Sequence, residues 1–235
     1  MRSYLKASSL VIALVIATAT ASYSQDLSKG FDAYTRGDYP DAIRQWKPLA
    51  DQGNAKAQLS LGVMYEKGHG VVQDYKTALK LYSLAAKQGD VLAQFKLGVM
   101  YGNGNGVTQD YKTAAQWYSL AAEQGLDRAQ FNLGNYYRAG EGVPLNYETA
   151  VTWYSLAAEQ GHAGAQSNLG TMYAQGHGVL QDYVRAHMWL NIAASNGTAM
   201  AAENRDIIAK QMTASDISKA QKMAQECVEK NYKGC

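Results

Sequence analysis

Residues 54–89 read NAKAQLSLGVMYEKGHGVVQDYKTALKLYSLAAKQG, and the same frame recurs without a gap at 90–125, 126–161 and 162–197. Thirteen of the 36 positions are identical in all four blocks. The chain is therefore a tandem array, and a period of this length marks a solenoid of stacked supersecondary units. The shared residues describe a helical hairpin. Ala57, Leu61 and Tyr65 recur four residues apart, which stacks them on one face of a first helix. Gly62, Gly98, Gly134 and Gly170 stand inside that helix. Glycine there costs about 1 kcal/mol relative to alanine, so its recurrence implies a neighbouring helix too close for a side chain. A Gly-x-Gly-Val segment follows, as in Gly68-His69-Gly70-Val71, and glycine suits the left-handed end of a helix. Asp74, Asp110, Asn146 and Asp182 then open a second helix by accepting from its free first-turn amides. Its inner face is expected to carry Tyr75, Ala78, Leu81 and the Ala85-Ala86 pair, with Trp117, Trp153 and Trp189 at the Leu81 position. The expected fold is all-α: an α/α solenoid, a superhelix of helical hairpins.

Outward from the array, residues 25–53 read as a degenerate N-terminal repeat and 198–235 as C-terminal capping helices, since a solenoid needs atypical ends to cover its open core. Residues 1–24 read as a signal peptide. Arg2 and Lys6 precede an uncharged run over Leu10–Ala21, and small residues allow cleavage after Ala21 or Ser24. The run falls short of the roughly 20 apolar residues of a membrane span. No stable membrane anchor is expected after cleavage, and the protein is expected to be exported, periplasmic or secreted.

Cleavage removes two basic residues and no acid, leaving 20 basic against 20 acidic. Nucleic-acid binding relies on a positive surface that releases counterions, and none is supplied in bulk, so no nucleic-acid partner is expected.

The Ala-Gln, Leu-Gly, Tyr, Gly-x-Gly-Val, Tyr, Ala, Trp-Tyr, Ala-Ala and Gly spacing resembles the Sel-1-like repeat, a relative of the tetratricopeptide repeat. The resemblance is strong over 54–197 and looser over 26–53 and 198–211. It implies a right-handed superhelix whose first helices line the concave side, and an adaptor that holds protein complexes together in bacterial envelope, signalling or host-contact settings. A cysteine-rich branch of that family has a disulfide in each repeat and binds β-lactams. This chain has no Cys before residue 227, so that activity does not carry over.

Catalytic motifs are missing. There is no HExxH, Gly-x-Ser-x-Gly or phosphate loop, and the one Ser-x-x-Lys, Ser3 to Lys6, lies in the leader. His69 and His177 occupy the same loop position three repeats apart. At about 10 Å per packed helix layer, they are too distant to share a metal, and both read as solvated. His187 reads as a packing residue. No catalytic residue, cofactor or metal is called for. Cys227 and Cys235 are expected to form a disulfide, since export favours oxidation; two free thiols, or Cys235 pairing between chains, are the alternatives.

Positions identical in every repeat must build the solenoid, so partner choice must come from positions that vary. On the first helices these are Lys56, Ser60, Val63 and Lys67; Lys96, Val99 and Asn103; Arg128, Asn132, Asn135 and Arg138; and Asn168, Thr171 and Gln175. The function expected is a non-enzymatic adaptor for a protein partner. The alternative is an envelope protein that binds or hydrolyses a small molecule or cell-wall fragment, such as a β-lactam or a piece of peptidoglycan.

Overall fold

A computed structural model describes residues 27–235, so the leader lies outside the described residues. Among the described residues the chain is helical throughout, without strands. Helix α1 covers 27–35 and pairs in sequence with α2 (Tyr39–Asp51). The four repeats follow as α3 (Ala55–Lys67) and α4 (Tyr75–Lys87), α5 (Val91–Asn103) and α6 (Tyr111–Glu123), α7 (Asp127–Ala139) and α8 (Tyr147–Ala158), α9 (Ala163–Gln175) and α10 (Tyr183–Ser195). Helices α11 (Ala199–Ala209) and α12 (Ala214–Glu229) close the chain.

Two compact units divide these helices. One holds residues up to 97 together with 105–108; the other holds 98–104 and 109–235. In the first unit, Ala57, Leu61 and Met64 of α3 pack with Trp46 and Leu49 of α2. Helix α1 plays the part of a first helix there: a Cβ on Gly30 would stand 2.1 Å from Trp46 Nε1, so α1 and α2 pair as a hairpin. In the second unit, Tyr154, Leu169, Met172 and Trp189 share a core with Ala224 and Cys227 of α12.

Local chemistry sets the helix limits. Asp74 Oδ1 accepts from the amides of Lys76 and Thr77, and its second oxygen accepts from the Thr77 hydroxyl at 2.6 Å. Asp110 repeats this with Lys112 and Thr113. The Thr hydroxyl holds each carboxyl below the usual carboxylate range. At the other ends, Gly68, Gly140 and Gly176 take left-handed φ values of 69–70°. The second loop glycine answers to space as well. A Cβ on Gly142 would stand 2.2 Å from the Tyr111 carbonyl carbon.

Three sequence expectations need adjusting. In three of the four repeats the third deep residue of the first helix is the one before the shared Tyr: Met64, Met100 and Met172 are buried, while Tyr65, Tyr101 and Tyr173 are half-buried. On the second helices Leu81, Trp117 and Trp153 are also half-buried. The deep position there is the next residue, Tyr82, Tyr118 and Tyr154. The helical glycines explain it, because Gly62, Gly98 and Gly134 each leave room for one of these rings. The loop histidines are not simply solvated. His69 stacks on Tyr39 at 4.5 Å and His177 on Tyr147 at 4.7 Å.

Candidate functional site

The shared Gln of each repeat has a structural task that its spacing alone does not reveal. Gln58, Gln94, Gln130 and Gln166 are buried, and each side-chain amide donates to a carbonyl eight residues earlier: Ala50, Ala86, Ala122 and Ala158. Those carbonyls end the preceding second helix, and each also accepts from the amide of the glycine that closes the block: Gly53, Gly89, Gly125 and Gly161. The Gln oxygens are satisfied too: Gln58 accepts from Gln88, Gln130 from Gln160, and Gln166 from Asn196, at 2.9, 2.7 and 2.9 Å. These residues therefore clamp repeats together and are not available to a partner.

The variable first-helix positions sort into two groups. One group serves the buried tyrosines. Tyr82 donates its hydroxyl to Glu66, whose carboxylate also pairs with Lys96 at 3.0 Å. Tyr154 donates to Asn135 at 2.7 Å and accepts from Arg138 Nε at 3.1 Å, while Asn168 donates to the same Asn135 oxygen at 3.1 Å. Asn132 hydrogen-bonds the Tyr118 hydroxyl. Burial pushes the phenols of Tyr82, Tyr118 and Tyr154 up, with Glu66 adding to the effect at Tyr82. Phenols held protonated in this way are hydrogen-bond donors, not bases. Lys96, Asn132, Asn135 and Arg138 thus finish the interior before they face solvent.

The second group is open. Val99 is half-buried and Asn103, Arg128 and Lys67 are exposed. Lys56, Ser60 and Val63 line a groove of about 460 Å³ within the first unit. Its floor and walls are mostly apolar: Leu27, Phe31 and Tyr34 of α1, Trp46 of α2, Leu59 of α3 and Leu92 of α5. Ser60 is 8% exposed, so it belongs to the groove wall. Phe31 and Leu92 remain 43% and 51% exposed, which leaves the mouth apolar. In the second unit, Thr171 and Gln175 line a smaller cavity of about 250 Å³ with Ile207 and Ile208 of α11. A further cavity of about 550 Å³ lies among Ile43, Lys47, Leu81 and Leu84, where the shared Gln58 and Leu61 form part of the wall.

At the C-terminus Cys227 and Cys235 are bonded, with Cα atoms 5.6 Å apart. The tail turns back through left-handed Asn231 and Tyr232. The Tyr232 ring then covers Gly161, at 3.2 Å from where a Cβ would stand. Among the described residues no three of His, Cys, Asp or Glu are placed to hold a metal, and no helix is long and apolar enough to cross a membrane.

A gap-free stack of 36-residue helical hairpins with polar clamps between them defines a helical solenoid of the repeat-scaffold class. The Sel1 repeat model matches residues 55–90, 91–126, 127–162 and 163–198, and the chain belongs to the Sel1 repeat family. It is similar to a protective antigen present in uropathogenic Escherichia coli strains that displays an SLR fold: 33% identity, TM-score 0.80, 89% of this chain covered. The match spans 47% of that antigen, about half its length. It is also similar to a Sel1 repeat protein from Oxalobacter formigenes, with 31% identity, TM-score 0.74, and 86% and 84% of the two chains covered. An immunity protein from Pseudomonas aeruginosa, 19% identical with TM-score 0.50 over 86% of this chain and 83% of its own, shares the fold. No curated protein matches the chain at a significant level. Sel1 repeat proteins generally mediate protein–protein interactions and are typically non-catalytic scaffolds.

Proposed function

We propose that this chain is an exported, non-enzymatic adaptor that binds a protein partner through its first-helix surface, the concave one in the family's architecture. The observation that carries this reading is the groove lined by Lys56, Ser60 and Val63. These positions vary between repeats, and in the first repeat they open onto an apolar cavity instead of completing the solenoid. Exposed apolar surface rimmed by polar residues is typical of interaction sites. The leader-like Leu10–Ala21 run and the two cysteines support an oxidising, exported setting.

A second reading is a small-molecule or cell-wall fragment site. The groove volume of about 460 Å³ favours it, since ligand pockets span roughly 300–1,000 Å³. Cross-linking the tagged protein in the cell, followed by fractionation and mass spectrometry, separates the two. A stoichiometric protein partner in the envelope or medium supports the adaptor. Export without any captured protein, together with saturable binding of a cell-wall fragment, replaces it with the second reading.

A further inference from the structure

The groove differs from the junction of the third and fourth repeats in the residues that meet there. Phe131 and His162 stack face to face at 4.5 Å where the third repeat meets the fourth. The residues in register with them between the first and second repeats are Leu59 and Asp90. Both line the groove. Asp90 is occupied as an N-cap, accepting from the Ala93 amide at 2.9 Å. Leu59 and Asp90 thus line a space that, at the junction of the third and fourth repeats, a stacked ring pair occupies.

The walls of this space have helical spacing. Leu27, Phe31 and Tyr34 follow one another at i, i+4 and i+7 on α1, and Lys56, Ser60 and Val63 do so on α3. Two such ridges suit the apolar face of a third helix, with anchors spaced i, i+3 or i+4, i+7. Charge adds direction. Lys56 and Lys67 are exposed at the two ends of α3, about 16 Å apart at 1.5 Å rise per residue. Glu66, the acid of the same helix, is committed to Lys96 and Tyr82.

We propose that the groove receives an amphipathic helical segment of a partner protein, with a large apolar side chain seated beside Leu59 and acidic residues reaching Lys56 and Lys67. This rests on the adaptor reading and specifies its partner. Phage display of random 16-residue peptides against the protein tests it. The expected winners carry apolar residues at i, i+3 or i+4, i+7 with acidic flanks. Leu59→Trp, which fills the groove, is expected to abolish their binding. Lys56→Glu changes an exposed side chain and keeps the test valid if Leu59→Trp does not fold; it is expected to weaken binding about tenfold, with the remainder less sensitive to salt. Winners without acidic bias, winners indifferent to both variants, or no enrichment overturn the proposal. Peptides that depend on Thr171 and Gln175 instead also overturn it, while leaving the adaptor reading standing. A dimer of this chain broken by Leu59→Trp would name a second copy as the occupant and likewise overturn it.

Discussion

Tyr154 lies directly beneath Gly134: a Cβ on that glycine would stand 2.7 Å from two atoms of the tyrosine ring. The ring cannot yield easily, because its hydroxyl is held by Asn135 and Arg138. One relationship thus links the helical glycine, the buried tyrosine and the variable polar positions above it. Overpacking costs about 1–3 kcal/mol, against about 1 kcal/mol gained by replacing a helical glycine with alanine. Gly134→Ala is therefore expected to lower stability by about 1 kcal/mol in urea unfolding, the middle of the range these two effects leave. An unchanged or raised midpoint would show that the close approach does not constrain this residue.

Gln130 joins Ala122 to Gln160. Gln130→Leu keeps the size but removes one of two donors to the Ala122 carbonyl, the other being the Gly125 amide at 2.9 Å, so it is expected to cost about 0.5–1.5 kcal/mol. Gln160 is exposed and can turn to water, so Gln160→Ala is expected to be nearly neutral. Equal effects of the two substitutions in chemical denaturation would argue against a clamp centred on the buried Gln.

The Cys227–Cys235 bond ties the tail to α12. In the chain-entropy model so short a loop contributes about 2–3 kcal/mol. Cys235→Ser is expected to raise hydrogen exchange in α12 and to release Tyr232 from Gly161, with exchange in α3 and α4 unchanged. Identical exchange in the two proteins would remove the bond from the stabilising contacts.

His187 is 3% exposed, and its Nδ1 has no hydrogen-bond partner. Burial lowers its pKa; the Arg205 cation lowers it further, and Asp206 opposes. The folded value lies below the unfolded one, so protonation favours unfolding. The protein's stability is then full above about pH 6.5 and falls as pH drops from there toward the folded value. Half-buried His162 shifts the same way, chiefly through burial. His187→Leu, which restores the residue type of Leu79 at the same repeat position, is expected to flatten the pH 5–7 stability profile. It should also raise stability by about 1 kcal/mol, because a buried unpaired nitrogen is removed. A profile as steep as the parent's would place the pH dependence elsewhere.

The period, the hairpin, the capping Asp and Asn residues and the close approach at the helical glycines were all legible in the sequence, because each depends on residues within one block. Two other features depend on what lies across a block boundary. The shared Gln looks like a first-helix surface residue until its acceptor, a carbonyl at the end of the previous helix, is in place. Asn135 and Arg138 vary between repeats like binding residues, yet they satisfy a tyrosine hydroxyl that spacing alone could not direct at them. The groove was half legible. Lys56, Ser60 and Val63 stood out by their variation. The missing signal was Leu59 at a position that holds Phe95 and Phe131 in the next two repeats.

The most direct measurement is lysine footprinting of the complex formed with the captured partner. An amine-reactive label is applied to the free and bound protein, and the sites are read by mass spectrometry. Protection is expected at Lys56 and Lys67, with Lys76, Lys80 and Lys112 of the second helices labelled as in the free protein. Protection of those second-helix lysines, with Lys56 still fully reactive, would contradict binding through the first-helix groove.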